Sequence, residues 1–328
     1  MLQAASAPVR GLRIRCLLDW AFEGPAALFT APLAAGHFAS EGLDVSLHTG
    51  QGSSDAVRRV AQGEYDLAVA DLATLMEHWN AHPDQTGLPV AVMIVYNQTP
   101  CAVFALKTVN IKSPAHLAGR TLGAPSGDAG RGAFSIFARA NGFDARTVNW
   151  RSTEPARREA ALIRGEVDAI TGYYFTCLLN LNARGVKDED ILILPYSQYG
   201  VPFYGNAIIA SDDFVRRMPQ AVQGFLRAFT RGVREVVADP SGAATTLRNH
   251  DPMIDLNLEN RRLRLALGGS VANAGTRVEG FGEATRSRLT LMTAQVGDAF
   301  GHKIRIPASR IFLPKLMPEK AARNLFAK

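Results

Sequence analysis

Cysteine is scarce in this sequence. Cys16, Cys101 and Cys177 lie far apart with no CxxC or Cys/His spacing, which argues against a zinc site or a redox dithiol and leaves buried structural thiols as the expectation. Among the seven histidines (His37, His48, His78, His82, His116, His250 and His302) only His78 and His82 stand four apart, as HWNAH without the Glu of HExxH, and no GxxxxGK[ST] run occurs, so neither a metal nor another cofactor is expected. No apolar run approaches the roughly 20 residues that span a bilayer, so direct membrane insertion is not expected. Low-complexity tracts are also missing. With 47% hydrophobic and 20% charged residues, the chain reads as globular rather than disordered or fibrous. The net charge of +6 comes from scattered residues and short pairs such as Arg58-Arg59, Arg157-Arg158 and Arg261-Arg262, which fall on the polar faces of predicted helices. No basic run with interleaved aromatics is present. Nucleic acid is therefore not an expected partner, while a mild bias toward anionic ligands stays open.

What the sequence does contain is a repeat, on a chain whose 328 residues suit two domains. After an apolar first strand and a helix over 26–40, residues 43–49 alternate like a strand and Gly50-Gln51-Gly52 turns. A helix capped at Ser53 or Ser54 runs to Gln62; residues 66–71 form a short strand, and a further helix covers 72–80. The same order returns after Lys112-Ser113-Pro114: strand 120–124, a Gly-rich turn over 126–132, a helix to Asn141, strand 147–152, helix 154–164 and strand 167–171. VAQGEYDLAVAD, ending at Asp71, aligns with LIRGEVDAITGY, ending at Tyr173, and pairs Gly63 with Gly165, Glu64 with Glu166 and Asp66 with Asp168. Each half is thus a βαβαβ unit. Later come a strand over 207–210 and a long helix over 219–239, whose Val222, Phe225, Phe229, Val233 and Val236 form one buried face. Helices over 241–249, 258–268 and 285–300 complete a tail that we place on the first lobe. The expected organisation is a first lobe over 12–104 and 206–328 and a second over 105–205. Chain crossings near 101–106 and 203–210 make a two-crossing hinge that permits closure by rotation.

The stretch RIRCLLDWAFEGP, residues 13–25, organises the rest. It is an apolar strand ending in Asp19, Trp20, Phe22 and Glu23, and α/β sheets bind ligands beyond the carboxyl ends of their strands. Taken alone, Asp19-Trp20 reads as a turn whose indole finishes the core; the repeat supplies a facing lobe and turns the reading toward a cleft. Trp20 and Tyr173, from opposite lobes, would clamp a flat ligand, a stack worth about 0.5–1.5 kcal/mol beyond area burial. The competing role for Tyr173, and more so for Tyr174, is hinge packing. Tyr204 either lines the wall or packs the hinge. Ser126, Gly127, Asp128 and Ala129 precede one helix and Gly52 and Ser53 another, so their N–H groups either receive an anionic or carbonyl group or simply enter a helix. Asp71 either accepts from a ligand amine or caps the helix starting at Leu72.

LLDW, EGLDVSL, GEYDLAVAD, IKSPAHLAGRTLG, GEVDAITGYY and YGVPFYGNAIIAS, in that order, resemble substrate-binding proteins of ABC transporters with the type II periplasmic-binding fold. The nearest branch binds thiamine pyrimidine precursors, with relatives for taurine, alkanesulfonates and nitrate. The resemblance implies an α/β two-lobe receptor, a monomer that binds a small-molecule solute and hands it to an ABC permease with its ATPase. It also implies a periplasmic or exported location, for which the small-residue tract AASA near residue 4 would be a processing remnant. Departures fall at the ligand. Pyrimidine binders follow Asp-Trp with Pro-Asn and then His, where this chain has Phe22, Glu23 and Ala26; where relatives continue GxYxNE, it reads Gly172 to Cys177 as GYYFTC. A carboxylate at Glu23 would suit an amine or ring N–H donor. Some relatives of the scaffold are enzymes of pyrimidine synthesis, desulfination or decarboxylation, and a sensory ligand domain would use the same cleft; the expectation is a non-catalytic binder.

Overall fold

The computed structural model describes residues 11–303 and 306–327, and the tract read as a processing remnant lies outside them. Two five-stranded sheets carry the fold. The first has the order β2-β1-β3-β10-β4, from β1 (Leu12–Leu18), β2 (Leu43–Thr49), β3 (Leu67–Asp71), β4 (Val90–Ile94) and β10 (Asn206–Ala210). The second repeats it as β7-β6-β8-β5-β9, from β5 (Cys101–Leu106), β6 (Thr121–Ala124), β7 (Asn149–Ser152), β8 (Ala169–Tyr173) and β9 (Ile191–Pro195). In each sheet the three strands of the βαβαβ unit are parallel, and the strand donated from across the hinge, β10 or β5, runs antiparallel. The repeat supplied three strands per lobe; β4 and β9 complete them.

Helices cover both sheets by burying single apolar faces. Pro219–Ala238 is the longest, and its Val222, Phe225, Phe229, Val233 and Val236 are fully buried. Phe225 stacks on Phe38 and Phe229 on Phe29, with ring centroids 4.7 Å apart in both pairs. Each such side chain contributes roughly 1.5–3 kcal/mol by leaving water. The single helix expected over 26–40 is two, Ala27–Ala34 and His37–Ser40, because Gly36 adopts φ 73° between them and breaks the ladder.

The crossings sit slightly before the segments foreseen. Residues 101–106 and 206–210 are interior strands of the sheets, and the chain passes between lobes at 95–100 and 196–205. These passages are zipped together: the amides of Val95 and Tyr96 donate to Asn206 O at 2.8 and 2.9 Å, and Thr99 N donates to Phe203 O at 2.8 Å. Arg288 ties both down, donating to Asn97 O, Pro202 O and Phe203 O at 2.5, 2.7 and 2.8 Å while its guanidinium lies 3.8 Å from the Tyr204 ring centroid. Its helix, Arg286–Phe300, packs on Leu72–Ala81 in the first lobe and also on Phe134–Ala140 in the second. The C-terminal tail therefore buttresses the hinge as well as the first lobe.

Candidate functional site

Between the sheets, where β1 and β3 of one lobe and β8 of the other end, lies a cavity of about 70 Å³. That is several times the roughly 10–15 Å³ needed to admit one water, which makes room for a small molecule rather than a lone ion. The 12–18 strand is interior to its sheet, paired with β2 and β3, so its end is fixed on both sides. Beyond it, Asp19, Trp20 and Glu23 line the cavity together with Gly52, Ser53, Asp128, Ala129 and Tyr173. Both lobes therefore contribute, as the repeat implied.

Other expected residues are committed elsewhere. Phe22 stacks on His250 with centroids 4.1 Å apart, at 15° between planes, and does not line the cavity. Asp71 is the cap: its Oδ1 accepts from Ala73 N at 2.9 Å and Thr74 N at 3.3 Å, and the residue is 2% exposed. Tyr174 turns away as the first residue of the helix Tyr174–Ala183, where strand geometry has ended, and donates to Leu265 O. Tyr204 is fully buried and donates to Glu279 Oε2 at 2.7 Å, which makes it a hinge-packing residue. Ser126 is exposed, and Gly127 meets the opposite lobe: its carbonyl accepts weakly from Ser54 N at 3.5 Å, so the N-terminus of Ser53–Ala61 faces protein there. Arg131, in the first turn of the helix that follows, is held by Ser152 Oγ at 2.9 Å and Ala124 O at 3.3 Å within its own lobe and so is not free for an anion.

Sequence reasoning did not single out Tyr96 or Phe29 for the cavity, and it read Arg158 as a solvated helix residue. Arg158 is 1% exposed; it pairs with Glu159 at 2.7 Å and Asp128 at 3.5 Å, and its guanidinium lies 5.6 Å from the Trp20 ring centroid. The signal was there in Arg158-Glu159-Ala160-Ala161-Leu162, since 158, 161 and 162 share a helical face. Ala26 and Thr176, two positions where the chain departs from the pattern it resembles, line the cavity, as does Phe175 beside Thr176. Tyr96, Tyr173 and Phe175 form an edge-to-face cluster with centroids 5.7–6.2 Å apart.

The electrostatics of the cleft are acidic. Asp19 Oδ2 accepts from Ser53 Oγ at 3.1 Å and Asn206 Nδ2 at 2.9 Å, while Tyr173 donates to Asn206 Oδ1 and so links β8 to β10. Glu23 Oε2 takes Arg262 Nη1 at 2.5 Å and Thr176 Oγ1 at 2.8 Å, and Arg262 also meets Glu259 at 3.1 Å. Burial pushes Asp19 up to about 6, against the pull of those neutral donors, and Asp71 and Glu259 up to about 7. A carboxyl whose folded value lies above its unfolded one favours folding while it holds its proton, below the unfolded value near 4. That advantage is lost as pH rises through the folded value. In the form with the lobes in contact, the protein is therefore expected to lose about a few degrees of Tm between pH 5 and 7.5, and a flat or rising profile in scanning calorimetry would contradict this burial.

All three thiols are buried, and burial pushes Cys16 up to about 12 and the other two well above their ordinary value. A thiolate nucleophile is disfavoured at each.

Solved structures share this shape. The alkanesulfonate-binding protein SsuA of Xanthomonas axonopodis superposes with a TM-score of 0.70 at 13% identity, covering 94% of this chain and 99% of that one. The periplasmic nitrate-binding protein NrtA of Synechocystis gives 0.68 at 11% identity over 93% and 87%. These likenesses establish the two-lobe periplasmic-binding fold. In sequence, the chain is 26% identical over 243 residues to the formylaminopyrimidine-binding protein of Halalkalibacterium halodurans, covering 71% of this chain and 69% of that one. It is 27% identical over 240 residues to the riboflavin-binding protein RibY of Chloroflexus aurantiacus, covering 71% of this chain and 66% of its relative. The NMT1/THI5-like family model matches residues 26–243, about two thirds of the chain, and the protein belongs to that family.

Proposed function

We propose that this chain is the solute receptor of an ABC-type importer and closes on a single-ring nitrogen heterocycle of the pyrimidine type. The observation that carries the reading is the cavity itself: set between two hinged lobes, walled by Trp20, Tyr96, Tyr173 and Phe175, and ringed by a few convergent polar groups. Affinity would come from desolvating a flat ring among these aromatics. Its size favours one ring over a three-ring flavin, and thus the formylaminopyrimidine relative over the riboflavin one as a guide. A sulfonate or nitrate ligand is disfavoured because the one guanidinium lining the cavity, Arg158, is already shared by two carboxylates. Cysteine-based catalysis is disfavoured by the burial of all three thiols. Delivery to a permease, and export from the cytoplasm, belong to the same reading.

Native mass spectrometry of the freshly purified protein tests it, since an enclosed site retains its solute; an adduct with the mass of an alkanesulfonate would overturn it. Trp20→Ala is expected to weaken binding of a 4-aminopyrimidine about tenfold in calorimetry, through loss of the stack and its buried area. An unchanged dissociation constant would remove Trp20 from the site.

A further inference from the structure

The charges around the cavity are unbalanced in a way that the pyrimidine reading alone does not explain. Arg158 is shared by Glu159 and Asp128, and Arg262 by Glu23 and Glu259. Each guanidinium thus faces two carboxylates. Asp19 and Asp71 have only neutral donors: Ser53 and Asn206 for the first, and backbone amides for the second. Six carboxyl groups therefore stand against two guanidinium groups in and immediately behind the site. The positive charge that left anionic ligands open in the sequence is not free inside the cleft.

A second feature points to the ligand independently of charge. Tyr96 is 5% exposed and lines the cavity, yet its hydroxyl has no hydrogen-bond partner among the described residues. The hydroxyl oxygen is not among the buried unpartnered atoms, so it keeps accessible surface and is free to meet a polar atom of a solute. With Tyr173 and Phe175 edge-on to it and Trp20 across the lobe boundary, it belongs to an aromatic enclosure of the kind that holds organic cations through ring quadrupoles.

We infer that the solute is a cation: a monocyclic nitrogen heterocycle carrying an alkylammonium arm, whose charge is read by the Asp19 carboxylate and whose ring polar atom meets the Tyr96 hydroxyl. The inference rests on the receptor reading above and narrows it to a substrate class. Asp19 is the specificity-determining residue because no protein cation competes for it, whereas Glu23 and Asp128 already hold arginines. A formylated arm is neutral and would leave the acidic excess uncompensated, so the chain is expected to differ here from its formylaminopyrimidine-binding relative.

Titration calorimetry at pH 7.5 with three probes tests this: 4-amino-5-aminomethyl-2-methylpyrimidine, whose arm is cationic; its hydroxymethyl counterpart, neutral and nearly isosteric; and propanesulfonate, an anion. The aminomethyl compound is expected to bind about ten- to a hundredfold tighter than the hydroxymethyl one, the range of a hydrogen bond to a charged group. Asp19→Asn is expected to erase most of that difference. Equal affinities of the two pyrimidines for the native protein, or tighter binding of the neutral one, would overturn the cation inference and leave the pyrimidine reading standing. Binding of propanesulfonate with neither pyrimidine bound would overturn both. Because the comparison is made first on the native chain, it stands even if Asp19→Asn does not fold.

Discussion

Arg262→Ala is expected to lower the unfolding free energy by about 3–5 kcal/mol, the usual cost of removing one partner from a buried ion pair. Arg262 is 1% exposed and bridges both lobes: Glu23 and Glu259 from the first, and Asn180 Oδ1 at 3.0 Å from the second. Without it, two carboxylates are left facing each other with no cation between them. They relieve this by binding protons, so the deficit of the variant should shrink as pH falls from 7 toward 5, in keeping with the value of about 7 to which burial already pushes Glu259. Urea unfolding at the two pH values checks this. The expected result is a large drop in midpoint at pH 7 with an unchanged slope, and a smaller one at pH 5. A variant as stable as the native protein at pH 7 would show that the pair is a surface-like contact of small worth.

The role of Arg262 also marks where the sequence stopped being readable. Arg157-Arg158 and Arg261-Arg262 look like solvated pairs, and Arg157 and Arg261 are indeed exposed. Their neighbours turn inward because the carboxylates that receive them arrive from elsewhere in the chain: Asp128 for Arg158, and Glu23, more than two hundred residues earlier, for Arg262. Periodicity carries no information about partners that distant. It served well where the interaction is local, as in the face of Pro219–Ala238 or the ends of β3 and β8, which fall at Asp71 and Tyr173 as the repeat aligned them. The cleft loop was legible for a related reason, since a strand end in an α/β sheet is positioned by the sheet itself. Which groups stay available to a ligand depended on pairings across lobes: Tyr204 and Tyr174 are taken by Glu279 and Leu265 O, and Tyr96 is left open. Glu23, read as the carboxylate for an amine, has spent its charge on Arg262, and Asp19 takes its place.

Gly127→Ala is expected to weaken ligand binding by about a hundredfold while leaving the ligand-free fold intact. Gly52 and Gly127, one from each lobe, bring their turns into backbone contact at the lip of the cleft. A Cβ on Gly127 would stand 2.5 Å from Gln51 O, and one on Gly52 would overlap the Gly127 carbonyl. Gly52 also has φ 111°, so its replacement strains its own turn; Gly127 is outside that region, and alanine there strains nothing but the approach of the opposite lobe. Relieving such an overlap costs about 1–3 kcal/mol, or opens the lobes, and each 1.4 kcal/mol is tenfold in affinity. A form with the lobes apart would lack this contact, so the ligand-free variant should melt within about a degree of the native protein, the scale of a neutral surface change. Calorimetry with the best-binding pyrimidine, paired with small-angle scattering with and without it, reads both effects. The native protein should compact on binding, and Gly127→Ala should remain expanded at the same ligand concentration. If the variant binds and compacts like the native chain, the two turns do not meet in the bound state, and closure must stop short of the Gly52–Gly127 contact.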